Sequence, residues 1–377
     1  MIPYGRQFID EDDIRAFLEV LRSDWLTTGP KVPEFEQAVA DFVGANHAVA
    51  VSSGTAALHT AMFALGIGPG DEVIVPPITF AASANCIVFQ GGTPVFADVD
   101  PETLLLSPTE VEKKISPKTR AVIAVDYAGQ PCDYDRLRAI TDKYGIKIVA
   151  DGCHALGGEY KGKRVGSLAN MTVFSFHPVK HITTGEGGMV TTDDPELARR
   201  IQVFRNHGIT KDTGLRDRNN TWFYEMKDLG YNYRITDMQC ALGLSQLKKL
   251  PWFLTRRREI AEIYDAAFNA LEQIAPLTVR DEVLHAYHLY VVRVLSENGL
   301  SRDRLFNHLR EKDIGVNVHY IPVHLHPFYK EKFVCGRGLC PIAEAAYEQI
   351  LSIPMFPGMS YEDVKKVIET LQKAISR

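Results

Sequence analysis

Ser175-Phe176-His177-Pro178-Val179-Lys180-His181-Ile182-Thr183-Thr184-Gly185-Glu186-Gly187-Gly188 is the stretch whose reading decides the fold. The apolar run Met171 to Phe176 predicts a buried strand. Pro178 marks a turn, and Lys180 stands in that turn. Gly185, Gly187 and Gly188 let the backbone fold tightly. Met189-Val190-Thr191-Thr192 then predicts a second strand at once. An amine held between two such strands and partly desolvated has a lowered pKa and can attack a carbonyl to form a Schiff base. A lysine beside glycines is more often a solvated loop residue, so the assignment turns on what the rest of the chain supplies.

Upstream, apolar spacing predicts helices over residues 9–23 and 35–43, with the irregular turn Trp25-Leu26-Thr27-Thr28-Gly29-Pro30 between them. Strands are expected at 47–51, 72–75, 93–97, 121–125 and 146–150. Helices alternate with them, over 56–65, up to about 89, and over 134–144. Such alternation implies an α/β fold with a mostly parallel central sheet and helices on both faces. Ligands then sit at the carboxyl ends of the strands. Ser52–Thr55, Thr79–Phe80, Asp151 and Ser175 all fall at such ends.

Downstream, a helix covers 195–203, and Lys211–Asn220 is polar and reads as a surface loop. Thr236-Asp237-Met238-Gln239 fits a capping box opening a helix that Pro251 would stop. A helix from Thr255 to Leu271 would lead into a smaller α+β domain. That domain would hold strands near 288–294 and 315–319 and helices near 302–311, 342–351 and 361–375. The expected division is a large domain over 1–250 and a small C-terminal domain over 251–377.

The 377 residues carry a net charge of -5, which gives no reason to expect nucleic acid or an anionic membrane as partner. There is no apolar run of membrane-spanning length. The start, Met1-Ile2-Pro3-Tyr4-Gly5-Arg6, lacks a signal-peptide core, so a cytoplasmic location is the expectation. The six cysteines show no C-x-x-C and read as reduced thiols, although Cys335 and Cys340 flank a glycine-rich loop and could approach each other. His319, His324 and His326 can be read as metal ligands, but no acidic ligand motif accompanies them, and no metal is expected.

Lys180 within its motif, Gly185-Glu186-Gly187-Gly188, Asp151-x-x-His154 upstream and Gly230-Tyr231-Asn232-Tyr233-Arg234 downstream together resemble the DegT/DnrJ/EryC1/StrS aminotransferases. The resemblance runs from Tyr4 to the C-terminal helix. It implies the aspartate-aminotransferase-like fold (PLP fold type I) and pyridoxal 5'-phosphate as cofactor, with pyridoxamine phosphate as its alternate form. It also implies a nucleotide-linked keto sugar as substrate. Within the family the closer likeness is to transaminases of pseudaminic acid biosynthesis. It rests on Ser23-Asp24-Trp25-Leu26-Thr27, Asp126-Tyr127-Ala128-Gly129, His154-Ala155-Leu156-Gly157 and Val318-His319-Tyr320-x-Pro322. The implied reaction moves the amine of L-glutamate to C4 of a UDP-linked 4-keto-6-deoxy-N-acetyl hexosamine, in a homodimer with shared sites.

Each position also has a physical job. Lys180 would bind the cofactor covalently and later move a proton; its presence, where the family's dehydratases carry histidine, argues for transamination. Asp151 would keep the pyridine nitrogen protonated. At 4 Å and an effective dielectric of about 20 such a pair is worth roughly 4 kcal/mol, about 3 pKa units. His154 would reach the phenolate oxygen or the aspartate. Gly54 and Thr55, at a helix N-terminus, would take the phosphate with Ser175. By resemblance Asn232 adds a phosphate contact from the partner subunit. Phe80 would stack on the ring. Tyr4, Trp25, Leu26, Thr27, Asn317, His319 and Tyr320 are the implied sugar-nucleotide contacts. The rival readings are an aminotransferase on a GDP- or dTDP-linked keto sugar, a non-catalytic PLP-binding regulatory protein, and a binding protein with a Rossmann-like sheet. The last lacks a Gly-x-Gly-x-x-Gly after a first strand.

Overall fold

Nine strands precede the long helix in the computed structural model, which describes residues 1–210, 222–295 and 301–375. They are β1 (His47–Val51), β2 (Glu72–Val75), β3 (Thr93–Phe96), β4 (Thr119–Val125), β5 (Lys147–Asp151), the short β6 (Glu159–Tyr160) and β7 (Lys163–Arg164), β8 (Met171–Ser175) and β9 (Gly188–Thr192). Seven of them form the central sheet in the order β1-β9-β8-β5-β4-β2-β3. Its pairings are parallel from β8 through β5, β4 and β2 to β3. The run His47–Val51 and the strands β4 and β8 are apolar nearly throughout because both faces of the sheet are covered by helices. Helix Gly54–Leu65, buried on almost every side, shows why its sequence lacks a polar face. The expected stretch Lys211–Asn220 lies outside the described residues.

β9 runs antiparallel to both β8 and β1. The Lys180 stretch is therefore the connection of a hairpin, closed where Ser175 pairs with Gly188. A Cβ on Gly188 would lie 2.4 Å from the Ser53 carbonyl oxygen, so glycine there lets the hairpin press onto the start of helix Gly54–Leu65.

The C-terminal part adds β10 (Ile274–Pro276), β11 (Val283–Leu284), β12 (Tyr290–Val294) and β13 (Ile350–Ile353). β10, β12 and β13 make a three-stranded antiparallel sheet. A second apolar cluster centres on Ile260, Tyr264, Phe268, Val292, Leu309 and Leu351, and Ile2 joins it from the other end of the chain.

Three expectations are corrected here. Pro251 does not stop the helix: one helix runs from Asp237 to Phe268 with the proline inside. An interior proline costs about 3 kcal/mol. The buried side chains of Leu247, Leu250, Phe253 and Leu254, on both sides of it, each contribute about 1.5–3 kcal/mol and outweigh that. The helix expected over 342–351 ends at Tyr347, and Ile350–Ile353 is β13. A short apolar run fits either element, and pairing with β12 decides it. Residues 315–319 form no strand; only Asn317 bridges to Ser352, by backbone bonds of 3.1 and 2.8 Å.

A turn of the large sheet locks the two parts together. Ala128 and Gly129, after β4, both have positive φ (58° and 110°). Their carbonyls accept from Leu289 N (3.1 Å) and Ala286 N (2.9 Å). A Cβ on Gly129 would sit 2.7 Å from Tyr287 N, so only glycine permits this approach.

Candidate active site

A cavity of about 560 Å³ opens at the carboxyl ends of the parallel strands. It brings together Tyr4, Gly54, Thr55, Phe80, Asp151, His154, Ser175, Lys180, Asn317, His319 and Tyr320 from the sequence reading. Asp151 ends β5, Ser175 ends the neighbouring β8, and Gly54 opens the helix after β1, which lies beyond β9, so three connections at one end of the sheet supply the floor.

Lys180 is half-buried in the cavity wall, and its backbone N–H closes the turn onto the His177 carbonyl at 2.9 Å. Desolvation pulls its amine below the ordinary lysine range, against the opposing pull of Cys153 and Asp151. A smaller neutralising cost makes such an amine a better nucleophile at neutral pH. Asp151 is buried at 6% exposure. Ser83 Oγ donates to its Oδ2 at 2.6 Å, Thr79 Oγ1 lies 2.7 Å from that hydroxyl, and Cys153 N donates to Oδ1 at 3.2 Å. The carboxylate is thus held in one orientation by groups that favour its charge.

Helix Gly54–Leu65 has Ser53 as its N-cap, the hydroxyl accepting from Ala56 N at 3.1 Å. A Cβ on Gly54 would lie 2.8 Å from Ser175 Cβ, so the helix end and the Ser175 hydroxyl sit in contact. An N-terminus with a bare backbone and an adjacent hydroxyl suits a phosphate.

His154 is buried, with Nε2 3.1 Å from the Tyr320 hydroxyl and no protein partner for Nδ1. Burial first, and the nearby Lys180 next, hold its pKa well below the usual histidine range, so it is neutral. The orphaned Nδ1, the cradle at Gly54 and the buried carboxylate fit pyridoxal phosphate.

Tyr4 reaches the cavity because residues 2–4 are pinned to the C-terminal part: Gly315 N donates to the Ile2 carbonyl and Met355 N to that of Tyr4. The Tyr4 and His319 rings are 5.4 Å apart. His319 bonds Ser352 Oγ at 2.9 Å and His324 bonds Glu344 at 2.9 Å, so each has its own protein partner. Cys335 and Cys340 are both free thiols. Phe80 is 61% exposed at the rim.

Trp25, Leu26, Thr27 and Asn232 do not line the cavity of this chain. The Trp25 turn is docked on the start of the long helix, with Asp237 N donating to the Leu26 carbonyl and Asp237 Oδ2 accepting from Gly29 N at 2.7 Å. Gln239, one turn on, donates to the Glu186 carbonyl at 2.7 Å, which puts this turn beside the Lys180 hairpin. Asn232 is exposed, bridged only to Asn206.

Sequence reasoning missed Ser83, Cys153, Glu186 and His288 in the cavity wall. Ser83 was findable, lying one helical turn after Thr79. His288 had no local signal, since it arrives through the Gly129 contact from the C-terminal part.

The family model described as the DegT/DnrJ/EryC1/StrS aminotransferase family matches residues 7–372. The spore coat polysaccharide biosynthesis protein SpsC of Bacillus subtilis is 44% identical over 377 residues, which cover 99% of this chain and 97% of that protein. Spr1654 of Streptococcus pneumoniae, described as a sugar aminotransferase and solved in its PMP form, is 36% identical with a TM-score of 0.94, over 100% of this chain and 99% of that one. Its PLP form gives 0.92. Helicobacter pylori PseC, an aminotransferase involved in pseudaminic acid biosynthesis, is 33% identical with a TM-score of 0.93, over the same shares.

The buried histidines generate a pH dependence. Burial lowers His154, His181 and His288 well below 6.5 and His285 to about 3. Unfolded histidines take up a proton near 6.5 and these do not, so acid favours the unfolded chain. Their contribution is fully present above about 6.5 and is lost as pH falls toward the folded values. Asp126, pushed up to about 7 by burial, opposes them, because its folded carboxyl protonates first. Each such histidine costs about 2 kcal/mol at pH 5 relative to pH 7. Urea unfolding is expected to show a loss of several kcal/mol between these pH values; equal stability at both would contradict the neutral cluster.

Proposed function

The chain belongs to the DegT/DnrJ/EryC1/StrS aminotransferase family, and from that premise we propose that it moves the amine of L-glutamate to C4 of a UDP-linked 4-keto-6-deoxy-N-acetyl hexosamine, in nucleotide-sugar biosynthesis of the pseudaminic acid type. The coarser statement needs no proposal: it is a PLP-dependent sugar aminotransferase with the fold of that class. The observation that carries the reading is the meeting of Lys180, Asp151 and Ser175 with the glycine-opened helix in one cavity.

When bound, pyridoxal phosphate supplies an electrophilic carbonyl and a ring that stores electrons. Asp151, braced by Ser83, would hold the ring nitrogen. Gly54, Thr55 and Ser175 would hold the phosphate, and Phe80 would cover the ring. Lys180 Nζ would hold the cofactor, and its amine would take up and return a proton at the substrate carbon. Desolvation lowers its pKa, which shifts the amine toward the neutral form that accepts a proton. His154 supplies a neutral hydrogen-bonding group beside it.

For the sugar nucleotide, Tyr4, Asn317 and His319 stand on the side of the cavity built by the C-terminal part. Tyr320 joins them there, although its hydroxyl also serves His154. Among the described residues, Lys180 is the only lysine or arginine lining the cavity. A diphosphate needs further cationic or N–H groups, which supports a homodimer in which the turn Trp25-Leu26-Thr27 and Asn232 complete the partner's site. Exposed Trp25, Leu26 and Tyr231 fit a covered surface. No helix among the described residues is long and apolar enough to cross a membrane.

One observation favours a second substrate: the 44% identity to SpsC, a spore coat polysaccharide protein, fits another nucleotide-linked keto sugar. A panel of UDP-, GDP- and dTDP-linked 4-keto sugars separates the two. The N-acetylated UDP sugar is expected to give a kcat/KM at least about tenfold above the others; a higher value for a GDP or dTDP sugar would replace it. Shared sites are tested by mixing Lys180→Ala with Asn232→Ala, each inactive alone. Partial recovery of activity is expected after subunit exchange, and none despite demonstrated exchange would place each site within one chain.

A further inference from the structure

Beneath His154 lies a second imidazole that no role above explains. His288 lines the cavity, is 5% exposed, and its ring centroid is 4.4 Å from that of His154, tilted by 41°. We propose that His288 is a positioning residue: packed against His154, it fixes the plane in which His154 meets the cofactor. This rests on the reading that His154 contacts the cofactor.

Among the described residues no group bonds His154 Nδ1; the ring meets the Tyr320 hydroxyl at Nε2, the rings of Tyr320 and Tyr127 at 6.1 and 6.4 Å and, nearest of the rings, His288 at 4.4 Å. One hydrogen bond leaves an imidazole free to swing about it, and a packed ring removes that freedom. The segment carrying His288 is rigidly placed. Gly129 and Ala128 carbonyls hold Ala286 N and Leu289 N, and the buried Arg257 guanidinium donates to the carbonyls of Tyr287 (3.0 Å), His288 (3.3 Å) and Met355 (3.1 Å). His288 thus carries the position of the C-terminal part to the cofactor side of the cavity.

The contact works through shape. Burial is the main cause, and Lys180, His154, His181 and Arg257 all face His288, which keeps it neutral far below the ordinary histidine range. Its Nδ1 has no protein partner either. A ring that neither titrates nor forms a bond through Nδ1 acts on His154 by packing, and phenylalanine would preserve that.

The test uses full-length apo-protein titrated with pyridoxal phosphate, reading the dissociation constant and the pH midpoint of the visible band. His288→Ala is expected to weaken binding about fivefold to tenfold and to move the midpoint. His288→Phe is expected to stay within about twofold of wild type. In a His154→Ala background, His288→Ala should change nothing more. Additive losses, or a His288→Phe as impaired as His288→Ala, would overturn the inference while leaving the His154 contact standing. A silent His154→Ala would overturn that contact and the inference with it. If His288→Ala does not fold, His288→Leu, equally apolar but not flat, takes its place in the cycle.

Discussion

Taking one lysine amine out of water beside one carboxylate is the constraint on which the rest of this structure depends. Desolvation lowers the Lys180 pKa, and the negative charge of Asp151 partly restores it. Neither could be buried alone without a large cost. The surroundings answer this need. Ser83 and the Cys153 N–H satisfy the carboxylate, and burial keeps His154, His181 and His288, which all feel the Lys180 charge, neutral. A second positive charge in the wall would raise the cost of charging Lys180 further.

Most of the fold was legible because it is written in local periodicity. Buried strands such as His47–Val51 and Met171–Ser175 are short apolar runs, and strand–helix alternation then dictates the parallel sheet. The floor of the site was legible for the same reason, since strand ends collect ligands. What failed were places where tertiary packing overrides local preference. Pro251 sits inside a helix because buried leucines and Phe253 flank it, and Ile350–Ile353 is a strand because β12 needs a partner. His288 was invisible because its place depends on Gly129, more than a hundred residues away in the chain.

Two parts of the molecule build one cavity, and the joint between them is specific. The N-terminal residues Ile2 to Tyr4 and the turn at Ala128-Gly129 both bind the C-terminal part through backbone hydrogen bonds. The sheet and its connections supply Asp151, Ser175 and Lys180 to the cavity, and the C-terminal part supplies Asn317 to Tyr320. The bond between the Tyr320 hydroxyl and His154 joins the two.

The absorption spectrum of the purified protein, before and after L-glutamate, tests the central claim most directly. The account predicts a visible band in wild type that gives way to a near-ultraviolet band when glutamate is added, and no such covalent band in Lys180→Ala. A protein that shows no bound cofactor even after incubation with pyridoxal phosphate, or a Lys180→Ala variant with the wild-type band, would contradict it.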